Sequence, residues 1–327
     1  MSNPNEHLAN SRTAAGNSPN ILADIFNAAA NKPGFSARVD TEEIVRRVTL
    51  EPQADIRRIS LRTLQVQDVL NAGPDAVLPG PGNPGIVTRI ATDVIELNSR
   101  AVGAGAKIVL IQDAPQATKD SAGDLVLFEW PAGYVVAEPA AFSQVADGDN
   151  VTPSAVPVHR AVMDRSTAPA FMFNTSLSRR EMKSWMNGTL ENGTLLSILS
   201  GLGRVVDSVL LTAILAATPG AFSIGAAAAR GLKIEGLRGL VGTSGNGAGF
   251  NGVGMFCAAN IPAEITGDMA QSLVGDFQRS AVGLFEDITL IANRLNLDGS
   301  MSITAVANCQ ALIPVAGALL PFWTVGA

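Results

Sequence analysis

The last quarter of the chain changes from regularly charged to uncharged. Charged residues recur through SLVGDFQRSAVGLFEDITLIANRLNLD (272–298), and none occurs after Asp298. The uncharged segment SITAVANCQALIPV (302–315) is rich in β-branched residues and contains Pro314, which favours a strand buried on both faces over a membrane helix. We therefore expect the chain to end in core strands.

A long helical pattern lies before this region. Ser178 and Glu181 form an S-x-x-E capping box, and apolar residues follow at helical spacing. The pattern predicts a helix over 179–216 that ends before Pro219 and reaches about 57 Å at 1.5 Å per residue. The glycines expected to bend or break it are Gly188, Gly193, Gly201 and Gly203.

Alternating apolar and polar residues predict strands before the helix. The segments IVTRIATDVIEL (86–97), AKIVLIQDA (106–114), DLVLFEWPAGYVV (124–136) and VPVHRAVM (156–163) have strand patterns separated by polar turns. IRRISLRTLQVQDVLNAGP (56–74) predicts a strand or a short helix that enters a turn. The middle of the chain should therefore consist of long β-ribbons.

The composition indicates that the chain buries apolar surface against partners. Of its 327 residues, 47% are hydrophobic and only 16% are charged, so little charge is available to cover apolar surface. The net charge of −6 argues against a basic nucleic-acid-binding surface. The first 38 residues are rich in Asn, Ala and Ser, which is typical of an arm that orders on contact, and they contain no signal-peptide pattern.

Residues that could carry chemistry are scarce. GAGFNG (247–252) matches G-x-G-x-x-G, but the residues after it look extended, whereas a dinucleotide site needs a helix there. Cys257 and Cys309 lie in apolar runs and should be buried thiols. His7 and His159 have no catalytic or metal-ligand pattern around them. The sequence therefore predicts no catalytic, cofactor-binding or metal-binding residue.

The order of these segments resembles the major capsid proteins of tailed bacteriophages, the Hong Kong 97 fold. The resemblance is carried by PVHRAVMDRS (157–166) leading into the helical pattern, and by LVGDFQRSAVGLFEDITLIAN (273–293) near the end. Within the latter, VGDF followed by ITLIAN looks like a strand pair of this family. The resemblance covers roughly residues 56–325.

This resemblance implies an α+β fold with four parts. They are an N-terminal arm, an extended β-loop, a peripheral domain with a long spine helix, and a small axial domain. The expected bounds are 1–50 for the arm, 97–149 for the extended loop, 51–96, 150–218 and 266–299 for the peripheral domain, and 219–265 and 300–327 for the axial domain. The uncharged C-terminal run would be the central strand of the axial domain. GTSGNGAGFNG (242–252) would be its loop near a five- or six-fold axis.

The function implied by the resemblance is structural, not enzymatic. Pentamers and hexamers of the chain would form an icosahedral virion shell, assembled in the host cytoplasm, around double-stranded DNA that is packaged without sequence-specific binding. The implied partners are other copies of the chain, a separate scaffolding protein, a portal and a decoration protein, with no membrane and no cofactor. Two alternatives stay open: an encapsulin-type cargo shell, and a glycine-loop nucleotide-binding enzyme whose binding would depend on Gly249.

Contacts between copies are expected at the start of the long helix. Arg179, Arg180 and Lys183 lie there, where the helix dipole disfavours positive charge, which suggests an external acidic partner. Glu129 or Glu138 on the extended loop of a neighbour could supply the carboxylate. The alternative is that the three cations form ordinary solvated surface.

Some members of the family join their subunits covalently through a lysine and an asparagine, helped by a glutamate. Lys107 and Lys119 could supply the lysine. By alignment, however, Ser300 stands at the asparagine position and Ala307 at the glutamate position, and no acidic residue occurs from Gly299 onward. We therefore expect a non-covalent shell. Separately, we expect the N-terminal arm to persist in the mature particle.

Overall fold

The computed structural model of the chain combines helices and strands, which confirms the α+β class. It describes residues 35–39, 48–52, 54–67, 88–112, 116–119, 125–128, 133–147, 150, 152–164, 167–181, 189–294 and 300–326.

The helices and strands are numbered in chain order. The α-helices are α1 (Ala91–Asn98), α2 (Arg100–Gly103), α3 (Thr189–Ala216) and α4 (Ile224–Ala229). The first strands are β1 (Phe35–Val39), β2 (Val48–Pro52), β3 (Ala54–Ser60), β4 (Gln65–Gln67), β5 (Thr88–Ile90), β6 (Lys107–Ile111), β7 (Gln116–Lys119), β8 (Leu125–Phe128), β9 (Gly133–Ala137), β10 (Val158–Val162) and β11 (Ala170–Leu177). The later strands are β12 (Arg238–Val241), β13 (Ala248–Phe250), β14 (Phe256–Ala258), β15 (Ile261–Ile265), β16 (Ser272–Gly275), β17 (Ala281–Phe285), β18 (Asp287–Arg294), β19 (Met301–Leu312) and β20 (Phe322–Val325).

The chain divides into two compact units. The first unit comprises Met1–Asn98, Ala170–Leu202 and Phe285–Asn308, and the second comprises Ser99–Pro169, Gly203–Leu284 and Cys309–Ala327. Most of β19 pairs with strands of the first unit, while β20 pairs within the second. The expected domain bounds, which place all of 300–327 in one axial domain, stay a prediction.

The first unit is built around the uncharged strand β19. Its residues 301–308 lie between β18 and β11, both antiparallel to it, and β3 pairs with the far side of β18. Five consecutive residues from Met301 to Ala305 are buried, so neither face of this part of the strand meets water. The predicted strand buried on both faces is therefore confirmed.

The second unit contains a six-stranded sheet in the order β13–β14–β15–β12–β16–β20. Only β12 and β15 run parallel among these neighbouring pairs. A core of Leu237, Val241, Val274 and Trp323 packs on it, and Phe222 meets Trp323 edge-to-face at 5.9 Å between ring centres. Elsewhere in this unit, β17 pairs with the last residues of β19 and with β6.

The segments VGDF and ITLIAN do not form a strand pair with each other. β16 contains only Val274 and Gly275 of the first segment and pairs with β12 and β20, whereas β18 contains the second segment and pairs with β3 and β19. A 3₁₀ turn at Phe277–Arg279 and strand β17 separate them and lead the chain into another sheet. The predicted pairing is therefore wrong: ITLIAN is a strand, whereas VGDF begins in a strand and ends in a 3₁₀ turn.

The segment IVTRIATDVIEL is mostly helical. Its strand β5 ends at Ile90, and α1 follows at once. Ala91, Val94 and Ile95 are the buried residues of α1, and their i, i+3, i+4 spacing forms one apolar face of a helix. The strand prediction fails here because tertiary burial favours this helical face over the alternating pattern.

The long helix ends where the sequence predicts, at Ala216 before Pro219. It runs unbroken through Gly193, Gly201 and Gly203, so a break at these residues is wrong, and Gly188 lies outside the described residues. Each glycine costs a helix about 1 kcal/mol relative to alanine. Burial of a leucine contributes about 2 kcal/mol, and α3 buries several, which offsets that cost.

By length and composition, Gly193–Ala216 is apolar enough to cross a membrane, and half of it is buried within the chain. A helix in a protein core has the same composition.

Candidate interaction surfaces

The ribbon formed by β9 and β10 has one face bound to its own unit and one face bare. On the inner face, Val136 is buried and the Tyr134 hydroxyl donates a hydrogen bond of 2.5 Å to the carbonyl of Gln278. On the outer face, Val135 and Val162 are about half exposed, at 52% and 48%. The ribbon therefore presents apolar surface that its own chain does not cover.

A charged cluster closes the base of this ribbon. The Arg279 guanidinium lies 2.5 Å from Glu138 Oε1 and 3.2 Å from Asp276 Oδ2, and all three side chains are mostly buried. Burial raises the pKa of Asp276, the Arg279 charge opposes this, and the Glu138 charge adds to it. The Glu138 amide also donates to the carbonyl of Pro157 at 2.8 Å. Glu138 thus has a cation in its own chain, and its contact with a neighbour stays a prediction.

The residues that follow Glu138 form what we call the exposed segment, 139–147. Each of its residues is exposed, and the Phe142 side chain is 97% exposed. None of them takes part in a hydrogen bond or ion pair within the described parts of the chain. A phenylalanine so placed contributes nothing to the stability of the isolated chain.

Strand β11 forms one edge of the first unit's sheet, which we call the open edge. Among the described strands it pairs only with β19, and its sequence AFMFNTSL carries no charge. Met172 and Phe173 are 69% and 46% exposed. The opposite edge is β3, whose sequence ADIRRIS carries three charged residues.

A capping box follows the open edge directly, as the sequence predicts. Both the Ser178 amide and hydroxyl donate to Glu181 Oε2, at 2.8 and 2.7 Å, and the Glu181 amide donates back to the Ser178 hydroxyl oxygen at 3.3 Å. These bonds lower the pKa of Glu181. Arg179 and Arg180 are exposed and form no ion pair with a described residue. The other predicted contact residues, Lys183 and Glu129, lie outside the described part of the chain.

The glycine-rich segment 247–252 forms a structured hairpin tip. Asn251 Oδ1 accepts hydrogen bonds from the amides of Val253 and Met255, at 3.1 and 2.9 Å, which fixes the loop between β13 and β14. Phe250 and Val253 project into solvent. Strand β14 follows the glycines, so the helix that a dinucleotide loop needs is not in that place.

The predicted burial of the two cysteines is confirmed. Cys257 and Cys309 are buried, and burial raises the pKa of Cys309 to about 12. His159 is half-buried in β10, and His7 lies outside the described residues. Within the described ranges, no group of His, Cys, Asp or Glu side chains is placed to hold a metal ion.

One functional-looking residue, Asp207, is not predicted from the sequence. It is 1% exposed in α3 and accepts three hydrogen bonds from the start of α2: from the Ser99 hydroxyl at 2.5 Å, the Arg100 amide at 2.8 Å and the Ala101 amide at 2.9 Å. Burial raises the pKa of Asp207 against the effect of these bonds, and the Asp268 charge raises it further. The only signal for it is one acid inside the apolar run GLGRVVDSVLLTAIL. Asp207 caps the helix α2 from another helix, which is a structural role.

Neither a family model nor a curated protein matches the chain. Among solved structures, a capsid of a native GTA particle matches at 11% identity and a TM-score of 0.41, over 79% of this chain and 97% of that one. The capsid of the cyanophage P-SCSP1u matches at 11% identity and a TM-score of 0.39, over 68% and 86%. The procapsid of satellite phage P4, which includes a size determination protein, matches at 7% identity and a TM-score of 0.39, over 72% and 97%.

Proposed function

We propose that this chain is the major capsid protein of a tailed bacteriophage. Copies of it assemble as pentamers and hexamers into an icosahedral shell that encloses double-stranded DNA. The sequence resemblance supplies the class of protein. Self-assembly is supported by one observation above all: the exposed segment carries a fully exposed phenylalanine and forms no hydrogen bond within the described chain, and the adjoining β9–β10 ribbon also exposes valines.

The charge of the chain suits a container for DNA. With a net charge of −6, the shell should bind DNA phosphates only weakly. This matters because each neutralised phosphate would add affinity and slow the movement of the genome. We propose no enzymatic activity and no cofactor. The virion capsid is the proposed location, with assembly in the host cytoplasm and with a scaffolding protein, a portal and a decoration protein as partners.

The expected family domains are part of this proposal. Residues 97–149 form the extended loop, and the sheet that contains β12 and β16 belongs to the axial domain. The hairpin tip at 247–252 then faces a five- or six-fold axis, where glycines permit close approach of backbones.

The arginines of the capping-box segment contribute to contacts between copies. Arg179 and Arg180 are exposed and lack an acidic partner among the described residues, so a carboxylate of a neighbouring copy can approach them. Lys183 would add to this charge, and Glu129 or Glu138 would supply the carboxylate. Glu129 is the better candidate of the two, because Arg279 already holds Glu138.

Electron microscopy of the purified chain tests this function. We expect closed shells, or rings of five and six copies, under assembly conditions. A discrete small oligomer at all concentrations would contradict the proposal. Shells that enclose a protein and neither DNA nor a portal would instead support the encapsulin-type alternative.

A further inference from the structure

We propose that residues 140–147 of one copy add as a parallel strand to the open edge β11 of a second copy, with Asp147 beside Arg179 and Arg180. This inference rests on the proposed self-assembly and names a surface through which it occurs. Three features support it. The two edges of the first unit's sheet differ, the segment 139–147 is exposed, and opposite charges lie at the end of this segment and just after β11.

The two edges of the first unit's sheet differ in their protection. Proteins usually guard an edge strand with charges, prolines or bulges, because its free N–H and C=O groups can pair with another chain. Edge β3 carries Asp55, Arg57 and Arg58, which oppose the approach of another strand. Edge β11 carries no charge and no proline, and it exposes Met172 and Phe173. The open edge is therefore suited to strand addition.

The exposed segment has the properties of the added strand. From Ala140 to Ala146 it contains no charge and no proline, so every residue has an N–H group to donate. It makes no hydrogen bond within the described chain, so pairing costs it no existing bond. Its Phe142 side chain gains burial against an apolar neighbour only when it docks.

Charge complementarity selects the direction of the added strand. In a parallel arrangement Ala140 starts beside Ala170, the two uncharged runs lie side by side, and Asp147 reaches the end of β11 where Arg179 and Arg180 follow. In an antiparallel arrangement Asp147 would lie beside Ala170, away from both arginines. That arrangement would bring Glu138 to the arginines instead, and Arg279 already holds its carboxylate.

The loop is long enough to reach another copy. It is anchored where the Glu138 amide bonds to the Pro157 carbonyl, at the base of the ribbon. At ~3.3 Å per residue, each arm of the loop between these anchors extends about 30 Å. This distance exceeds the width of several strands, which are about 4.8 Å apart.

A charge exchange tests the docking. Asp147→Arg alone, or Arg179→Asp with Arg180→Asp, should each lower the yield of assembled particles at least about tenfold, because like charges then meet at the end of the strand. Combining all three substitutions should restore most of the yield. Glu96→Arg is the matched control, since it makes the same charge change at an exposed site on α1 and should leave the yield unchanged.

Disulfide formation tests the direction of the strand. In the parallel arrangement Gln144 lies beside Asn174, so Gln144→Cys with Asn174→Cys should give covalent oligomers in oxidised particles and leaves Phe142 in place. Gln144→Cys with Phe173→Cys is the matched control, because these positions meet only in the antiparallel arrangement. The native cysteines are buried and do not interfere.

The outcomes separate this inference from the proposed function. If the wild-type chain assembles but the charge exchange gives no recovery and the first cysteine pair no cross-link, the docking is overturned and self-assembly stands. Cross-linking only by the control pair overturns the parallel direction. If the wild-type chain itself never exceeds a small oligomer, both the docking and the proposed function fail.

Discussion

The C-terminal strands and the exposed segment use apolar residues in opposite ways. Every residue of β16 and β17 is buried, and the first five residues of β19 are buried in succession. Every residue of 139–147 is exposed, although this segment also contains phenylalanine, valine and alanine. The first region stabilises the folded chain, whereas the second has apolar groups that remain exposed among the described residues.

The two regions gain free energy at different stages, the first on folding and the second on assembly. Burial of apolar surface contributes about 25 cal/mol per Å², and the C-terminal strands gain this within one chain. The exposed segment gains it only when another surface arrives. Substitutions in the two regions should therefore act on different measurements, unfolding in one case and assembly in the other.

Two phenylalanine substitutions, one in each region, should give the largest effects. Phe322 is 1% exposed and packs edge-to-face on Phe277 at 5.0 Å between ring centres, so Phe322→Ala should lower the free energy of unfolding by about 3–5 kcal/mol. Phe142→Ala should change it by less than ~0.5 kcal/mol and should lower the yield of particles instead. Denaturant titration of the unassembled chain and particle yield measure the two effects. Equal losses of stability would show that the exposed segment is part of the core.

A pair of glycine substitutions gives the next largest effect. A Cβ at Gly275 would lie 2.5 Å from the carbonyl oxygen of Pro321 and would clash with the ring of Phe322, so Gly275→Ala should destabilise the chain by about 3 kcal/mol. Gly249→Ala in strand β13 is the control, because nothing lies within 4 Å of its added Cβ. It should be neutral by the same denaturant titration. A neutral Gly275→Ala would mean that β16 and β20 are packed less closely than these distances require.

Local patterns were enough to predict the elements that depend on neighbouring residues. The Ser178 capping box, the end of the long helix and the buried run of β19 follow from sequence spacing and are confirmed. The helix α1 and the continuity of α3 through its glycines depend on burial against distant residues, so periodicity alone misses them. The three hydrogen bonds of Asp207 join residues more than 100 positions apart, which no local pattern records.

The buried Asp207 gives a smaller effect within the stable region. In Asp207→Asn one carboxylate oxygen becomes an NH₂ group, which cannot accept a hydrogen bond from the start of α2. We expect a loss of about 1–3 kcal/mol in the free energy of unfolding. Glu235→Gln, at an exposed site, is the control and should be neutral. An equally neutral Asp207→Asn would show that the cap does not stabilise this helix.

The pH dependence of this loss has a definite sign. The pKa of Asp207 is raised in the folded chain, mainly by burial, so the folded state binds the proton more tightly than the unfolded chain. The group's contribution is full below its ordinary pKa and is lost as the pH rises through the raised value. The difference in unfolding free energy between the wild type and Asp207→Asn should grow as the pH falls from about 7 towards about 4. A difference that shrinks over this range would contradict the direction of the shift.

The last prediction is that no covalent links form between copies. Lys107, one candidate for a link, begins β6 with its ammonium group 6.0 Å from the ring centre of Tyr134. With no acidic residue from Gly299 onward to act as a base, we expect mature particles boiled in SDS to give monomers near 33.8 kDa. A ladder of larger species that persists under reducing conditions would contradict this prediction.

Hydrogen exchange, compared between assembled particles and the unassembled chain, measures whether the exposed segment is buried by assembly. Amides of β16 to β19 should exchange slowly in both states, because their own chain protects them. Amides of 139–147 and of the open edge β11 should exchange fast in the unassembled chain and slowly in the particle. If the exposed segment exchanges equally fast in both states, it is not a contact between copies, and the contrast between the two regions has no role in assembly.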